Sequence, residues 1–206
     1  MNVAYVREQL HVALRFARFE QNAVRDFDQS FDGFFRSFVG ILLCVPFYVL
    51  IVLADRRIAA SAPTEMPAIE IGPLPPANLA FLALETLNYL VNWIAFPLAM
   101  IFITRLIGAG RRYVPFIVAY NWTSCVVFAL TIIPPVLYLS GLVPVAAASS
   151  FSLPIILLAI AYRFKVAREA LEISGLNAAG IVLFDLLLSL LIVMVNTQLR
   201  AGLASA

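Results

Sequence analysis

Ala178-Ala179-Gly180-Ile181-Val182-Leu183-Phe184-Asp185-Leu186-Leu187-Leu188-Ser189-Leu190-Leu191-Ile192-Val193-Met194-Val195-Asn196-Thr197-Gln198 carries a single charge. A bilayer's hydrocarbon core is about 30 Å thick, and a helix rising 1.5 Å per residue crosses it in about 20 residues. This stretch therefore reads as a membrane span. Upstream, four more apolar runs have spanning length, at roughly 37–54, 79–104, 114–139 and 143–161. The expectation is an all-α polytopic membrane protein with five transmembrane helices at 37–206, preceded by an N-terminal arm at 1–36.

Composition agrees. Of 206 residues, 63% are hydrophobic and only 13% are charged. A soluble domain carries about 25% charged residues and cannot hide so much apolar surface at this size. The net charge of +2 is too small for nucleic-acid binding. Its basic residues also cap apolar runs rather than line one face. Thirteen of the fourteen cations are arginine, a composition that fits a GC-rich bacterial genome and an inner-membrane location.

Within the arm, residues 2–20 form an amphipathic helix with Val3, Val6, Leu10, Ala13, Leu14 and Ala17 at helical spacing. Such a helix lies in the headgroup plane or packs on the bundle's own loops. Phe27, Phe31, Phe34 and Phe38 follow at spacings of four, three and four, an aromatic stripe suited to the interface. Glu8, Glu20, Asp26 and Asp28 interrupt any apolar core there, so the arm does not read as a signal peptide and is expected to be retained. The lone histidine, His11, is expected at the surface.

Prolines and glycines punctuate the rest. Pro46 is expected to bend the first span, and Pro134-Pro135 to break the end of the third. Residues 58–78, with Pro63, Pro67, Pro73, Pro75 and Pro76, read as an extended loop that ends at Asn78, a helix cap. Gly108 and Gly110 supply a basic turn, and Ser140-Gly141 a tight one. The fourth span is expected to continue as a helix until Gly175, with Asn177 capping the fifth.

Charge sets the orientation. Arg7, Arg15, Arg18, Arg25, Arg36, Arg105, Arg111, Arg112, Arg163, Lys165 and Arg168 fall on one side; Arg56, Arg57 and Arg200 fall on the other. The positive-inside rule then puts the N-terminus in the cytoplasm and the C-terminus outside.

Ionisable groups inside spans are costly and mark functional sites by default. Here they are Glu85 and Asp185. Glu85 has Asn88, Tyr89 and Asn92 on its own face. By depth, Asp185 matches Asn121, with Ser189 one turn further on. The two carboxyls differ in depth by about 10 Å on the spans above, so they are not expected to pair. These residues form either a polar track for a proton or small solute, or interhelical glue with each carboxyl protonated or hydrogen-bonded. Trp93 and Trp122 lie too deep for an interfacial belt and are expected to pack between helices. Cys44 and Cys125 also fall within spans and are expected to be packing residues. Asn121-Trp122-Thr123 matches a glycosylation pattern at a depth where no such modification occurs. No nucleophile–base pair, metal-ligand spacing or phosphate loop is visible, so no catalytic residue, metal or cofactor is assigned and no enzyme activity is expected.

The turn Gly108-Ala109-Gly110-Arg111-Arg112 and the stretch Ala170-Leu171-Glu172-Ile173-Ser174-Gly175-Leu176 ahead of the last span resemble the bacterial branch of the Yip (Ypt-interacting) membrane proteins. The resemblance covers roughly residues 79–198. It implies a non-enzymatic protein acting through membrane partners and carries over no functional residue. The leading expectation is a non-catalytic subunit or scaffold, set in the lipid bilayer and associating with other membrane proteins or with itself. The alternative is a transport or channel component that uses the stripe around Glu85.

Overall fold

A computed structural model describes residues 2–18, 20, 22–61 and 75–205. It is 86% helical with no strand among these residues, so the all-α expectation holds. The helices are α1 (Val3–Ala17), α2 (Phe31–Ser37), α3 (Val39–Ser61), α4 (Leu79–Leu106), α5 (Tyr113–Thr131), α6 (Ile133–Leu139), α7 (Val145–Leu171) and α8 (Gly175–Ala204). Because α2 runs into α3 and α5 into α6, five helical stretches are long and apolar enough to cross a membrane: Phe31–Ala60, Leu79–Leu106, Gly110–Leu139, Val145–Leu171 and Gly175–Ala204.

Local chemistry sets most boundaries. Asn78 caps α4, its side-chain oxygen accepting from the Phe81 amide at 3.0 Å. Gly108 and Gly141 both take φ of +75°, the left-handed region open to glycine. Pro134 and Pro135 fall in the first turn of α6, where a missing N–H costs nothing, and the helix before them stops at Thr131. Two expectations need correction. It is Glu172, at φ 55°, that ends α7, and Ser174 that caps α8 by accepting from the Asn177 amide; Gly175 is already helical. The first span also does not end near residue 54 but stays helical through Pro46 to Ser61. The loop expected at 58–78 therefore starts later, and its stretch 62–74 lies outside the described residues.

The hub is α5. Every residue from Phe116 to Val126 is buried, including Asn121, Thr123 and Ser124. Around it pack α1, α2, α3 and α7, while α8 lies against α4 and α7. The hub hydroxyls are tolerated because they are bonded, whereas Asn121 Oδ1 and Trp122 Nε1 find no partner among the described residues. The Thr123 hydroxyl donates to the Ala119 carbonyl at 2.7 Å, and that of Ser124 to the Tyr120 carbonyl at 2.6 Å. Trp93 and Trp122 are both buried between helices, as their depth predicted.

On the bundle, α1 is docked against α5, with its end against α7. Its buried face is Gln9, Val12, Ala13 and Phe16, with Tyr5, Val6 and Leu10 half covered. This face is rotated from the one read in the sequence, since Val3 and Leu14 are exposed. The arm is latched by polar contacts as well. Tyr162 donates to the Ala13 carbonyl at 2.6 Å and the Lys165 ammonium sits 3.8 Å from the centre of the Phe16 ring, while within the arm Tyr5 donates to Asp28 at 2.9 Å. The aromatic stripe splits: Phe27 is buried and Phe34 half-buried against Tyr113, while Phe31 is exposed. His11 is exposed as expected.

Candidate intramembrane polar site

Polar side chains from all five spans meet around one cavity of about 420 Å³. Helix α3 contributes Tyr48 and Asp55, α4 contributes Asn88, Asn92 and Trp93, and α5 contributes Tyr120 and Ser124. Arg163 enters from α7, and Ser189, Asn196 and Arg200 from α8. Phe128 and Val193 supply apolar wall.

At the end away from the arm is a charge cluster. Arg200 grips Glu85 with two bonds, from Nε to Oε1 and from Nη2 to Oε2, each 2.7 Å. Asp55 lies 3.7 Å from the same guanidinium. The Tyr48 hydroxyl donates to Glu85 Oε2 at 2.8 Å and accepts from the Asn88 amide at 2.8 Å. Asn92 in turn donates to the Asn88 carbonyl at 2.9 Å. The stripe read from the sequence is thus one connected network, but its centre is an ion pair absent from that reading. The apolar run alone puts Arg200 beyond the fifth span, whereas α8 continues to Ala204 and keeps Arg200 within the helix. Bidentate guanidinium–carboxylate pairing is among the strongest polar contacts a protein makes. Both members are largely buried, with side-chain exposures of 13% for Arg200 and 7% for Glu85.

Toward the other end of the cavity, the Tyr120 hydroxyl donates to Asp185 Oδ1 at 3.0 Å, and Arg163 Nε lies 3.8 Å from Oδ2. The same guanidinium stacks 3.9 Å above the centre of the Tyr120 ring. The expected partner of Asp185, Asn121, points elsewhere and donates to the Ser37 hydroxyl at 2.8 Å. Ser189 does line the cavity one turn along from Asp185. The structure therefore brings together Glu85, Asn88, Asn92, Asp185 and Ser189, and leaves Asn121 out. Glu85 and Asp185 do not pair, as expected; each has its own arginine.

Two buried polar atoms on this cavity have no hydrogen-bond partner. They are Trp93 Nε1, a donor, and Asn196 Oδ1, an acceptor; the two residues are 4% and 7% exposed. An unpaired buried polar atom costs roughly 1–3 kcal/mol, so such atoms at a cavity wall mark where a solute or water bonds. Among the described residues no group of three or more His, Cys, Asp or Glu side chains is placed to hold a metal ion.

Neither the protein-family models, nor the curated proteins, nor the solved structures contain a match to this chain. The Yip-type resemblance therefore rests on residues 108–112 and 170–176 alone.

Proposed function

We propose that this protein is a transport or channel component that takes a small polar solute into the cavity between its five spans. One observation carries this reading. A cavity of about 420 Å³ in a membrane bundle is lined by polar groups of all five helices, with an arginine–carboxylate pair toward each end and two unsatisfied buried polar atoms between. Glue between helices needs no room; groups that only tie helices together close on one another. Non-helical or polar lining at membrane depth is tolerated where it borders a water-filled space. The mixed lining fits a solute with both hydrogen-bonding groups and an apolar face. The eleven-to-three division of basic residues supports an arm on the cytoplasmic side, in a bacterial inner membrane.

Access to the cavity is the test. Asn92→Cys, half-buried on α4, lines it, whereas Leu187→Cys is exposed on α8. A membrane-impermeant thiol reagent added to vesicles is expected to label the first and spare the second. The parent protein, with Cys44 and Cys125 buried, gives the background. Labelling of neither position from either side would mean a sealed cavity and would remove the transport reading.

Association with other membrane proteins or with a second copy is the second reading. The apolar face of the arm does not serve it, being already covered by α5 and α7. What favours association now is the first part of α7, where Ala146, Ser149 and Ser150 are exposed and small enough for a partner helix to approach closely.

A further inference from the structure

A second, larger concavity of about 1060 Å³ lies on the opposite face of α7, between α7, α8 and the arm. Its walls are apolar along most of their length, with Leu157, Ile160 and Phe164 from α7 and Val182, Leu183 and Leu186 from α8. Its arm end carries Arg25, Lys165 and Arg168 together with Glu169 and Glu172. Leu157 and Arg168 are eleven residues apart on one helix, which is about 16 Å. One leaflet's share of a 30 Å hydrocarbon core is about 15 Å. The groove thus runs the depth of one leaflet and meets positive charge where a headgroup lies.

Within the groove Lys165 is a paired cation, and the second acid there is turned to a cation outside it. Glu169 lies 3.7 Å from Lys165, whose ammonium also donates to the Glu20 carbonyl at 3.0 Å. Glu172, which also lines the groove, pairs with Arg112, which does not. The Arg112 hydrogen bond holds the Glu172 carboxyl below the usual carboxylate range, and Arg25 adds to this from further off. Among the described residues, Arg25 and Arg168 have no carboxylate within ion-pair distance. Both are exposed.

We propose that this groove holds one anionic phospholipid, its phosphate at Arg25 and Arg168 and one acyl chain between α7 and α8. A basic pocket between transmembrane helices, at headgroup level and above an apolar slot, recognises a lipid by two features at once. A free phosphate would use the arginines but not the leaflet-deep apolar wall. A zwitterionic lipid would use the wall but gain little from the arginines. The site is separate from the cavity around Glu85 and stands whether or not that cavity carries a solute.

The experiment is lipid titration of the detergent-purified, delipidated full chain, read by native mass spectrometry. Phosphatidylglycerol, phosphatidylcholine and inorganic phosphate are the probes. The expected result is one phosphatidylglycerol retained per chain in preference to phosphatidylcholine, with no competition from inorganic phosphate. Arg25→Gln combined with Arg168→Gln is expected to lower that preference about thirtyfold, from the usual electrostatic contribution of two basic residues at a lipid surface. Arg7→Gln with Arg18→Gln removes the same charge from exposed arm positions outside the groove and is expected to leave it unchanged. Leu183→Trp, which fills the slot, is expected to abolish retention of either lipid at unchanged helicity. Equal retention of the two lipids, equal effects of the two arginine pairs, or displacement by inorganic phosphate would each overturn the proposal.

Discussion

At the residue scale the bundle is held at two places where a single atom matters. The first is the Glu85–Arg200 pair. Glu85→Gln strips a buried guanidinium of its charge partner and leaves it only the more distant Asp55. Breaking a buried pair in this way costs about 3 kcal/mol or more. Among the described residues Asp55 has no partner nearer than its 3.7 Å approach to Arg200, so Asp55→Asn is expected to cost under about 1 kcal/mol, in the range of loose ion pairs. Thermal unfolding in mild detergent should rank the two variants in that order, and the opposite ranking would place the working partner of Arg200 on α3. The second place is Gly33. A Cβ there would lie 2.2 Å from the Asp28 carbonyl oxygen and 2.6 Å from its carboxyl carbon. The backbone of the Phe27–Ser30 turn must then move. Gly33→Ala is expected to cost about 1–3 kcal/mol, as overpacking does, while Gly180→Ala, with open space around it, should be neutral or slightly stabilising.

At the element scale the docked arm behaves as a latch. Phe16 is wholly buried against Tyr162, so Phe16→Ala is expected to cost about 3–5 kcal/mol of local docking energy. The arm's own fold, on which the latch rests, also depends on pH. The Ser30 hydroxyl bond, with help from Tyr5, holds the Asp28 carboxyl below its usual range. That contribution is present above the ordinary Asp value near pH 4 and is lost as the pH falls below it. Burial, together with the bond to Asp28, pushes the Tyr5 phenol up. Its contribution is present below the ordinary Tyr value near pH 10 and is lost as the pH rises beyond its folded value. Arm docking should therefore be firmest between roughly pH 4 and pH 10. Trp122, edge-on to Tyr5 at 6.2 Å, reports it; in a Trp93→Phe background its emission should shift red on acidification. An unchanged spectrum down to about pH 3 would show that Asp28 does not govern the latch. The arm also shows what a sequence makes legible. Its helix and its amphipathic character were plain, but the choice between lipid and protein as its cover was not. Both solvents reward the same apolar stripe, and only the rotation that buries Phe16 and exposes Val3 separates them.

At the scale of the whole molecule, topology was legible and pairing was not. The five spans follow from long apolar runs, and their ends shifted by several residues because helices pass the hydrocarbon boundary without a signal. Depth along each helix was also readable, since it needs only a count of residues. The angle about each axis needs neighbours. Asp185 was assigned a partner at the correct depth on α5, Asn121, and the structure chose Tyr120, one residue and about 100° away. Arg200 escaped for a related reason. An arginine after an apolar run looks like a charge held out in water, yet its long side chain reaches back along the helix toward buried acids. Orientation remains the most direct global prediction. A phosphatase fused after Ala206 is expected to be active outside, and one fused at Gly110 inactive; activity at both sites or the reverse pattern would contradict the charge division.

The ion pair that closes the far end of the cavity joins residues 115 positions apart, and this separation has a consequence for how the chain is made. At a typical synthesis rate of 5–20 residues per second, α4 enters the bilayer roughly 6–23 s before Arg200 exists. During that interval Glu85 has no guanidinium to meet, and its helix lacks the contact that closes this end of the bundle. The last turns of α8 thus act as a completion signal for everything before them. A chain stalled short of residue 200 would hold two acids, Asp55 and Glu85, without their counter-charge.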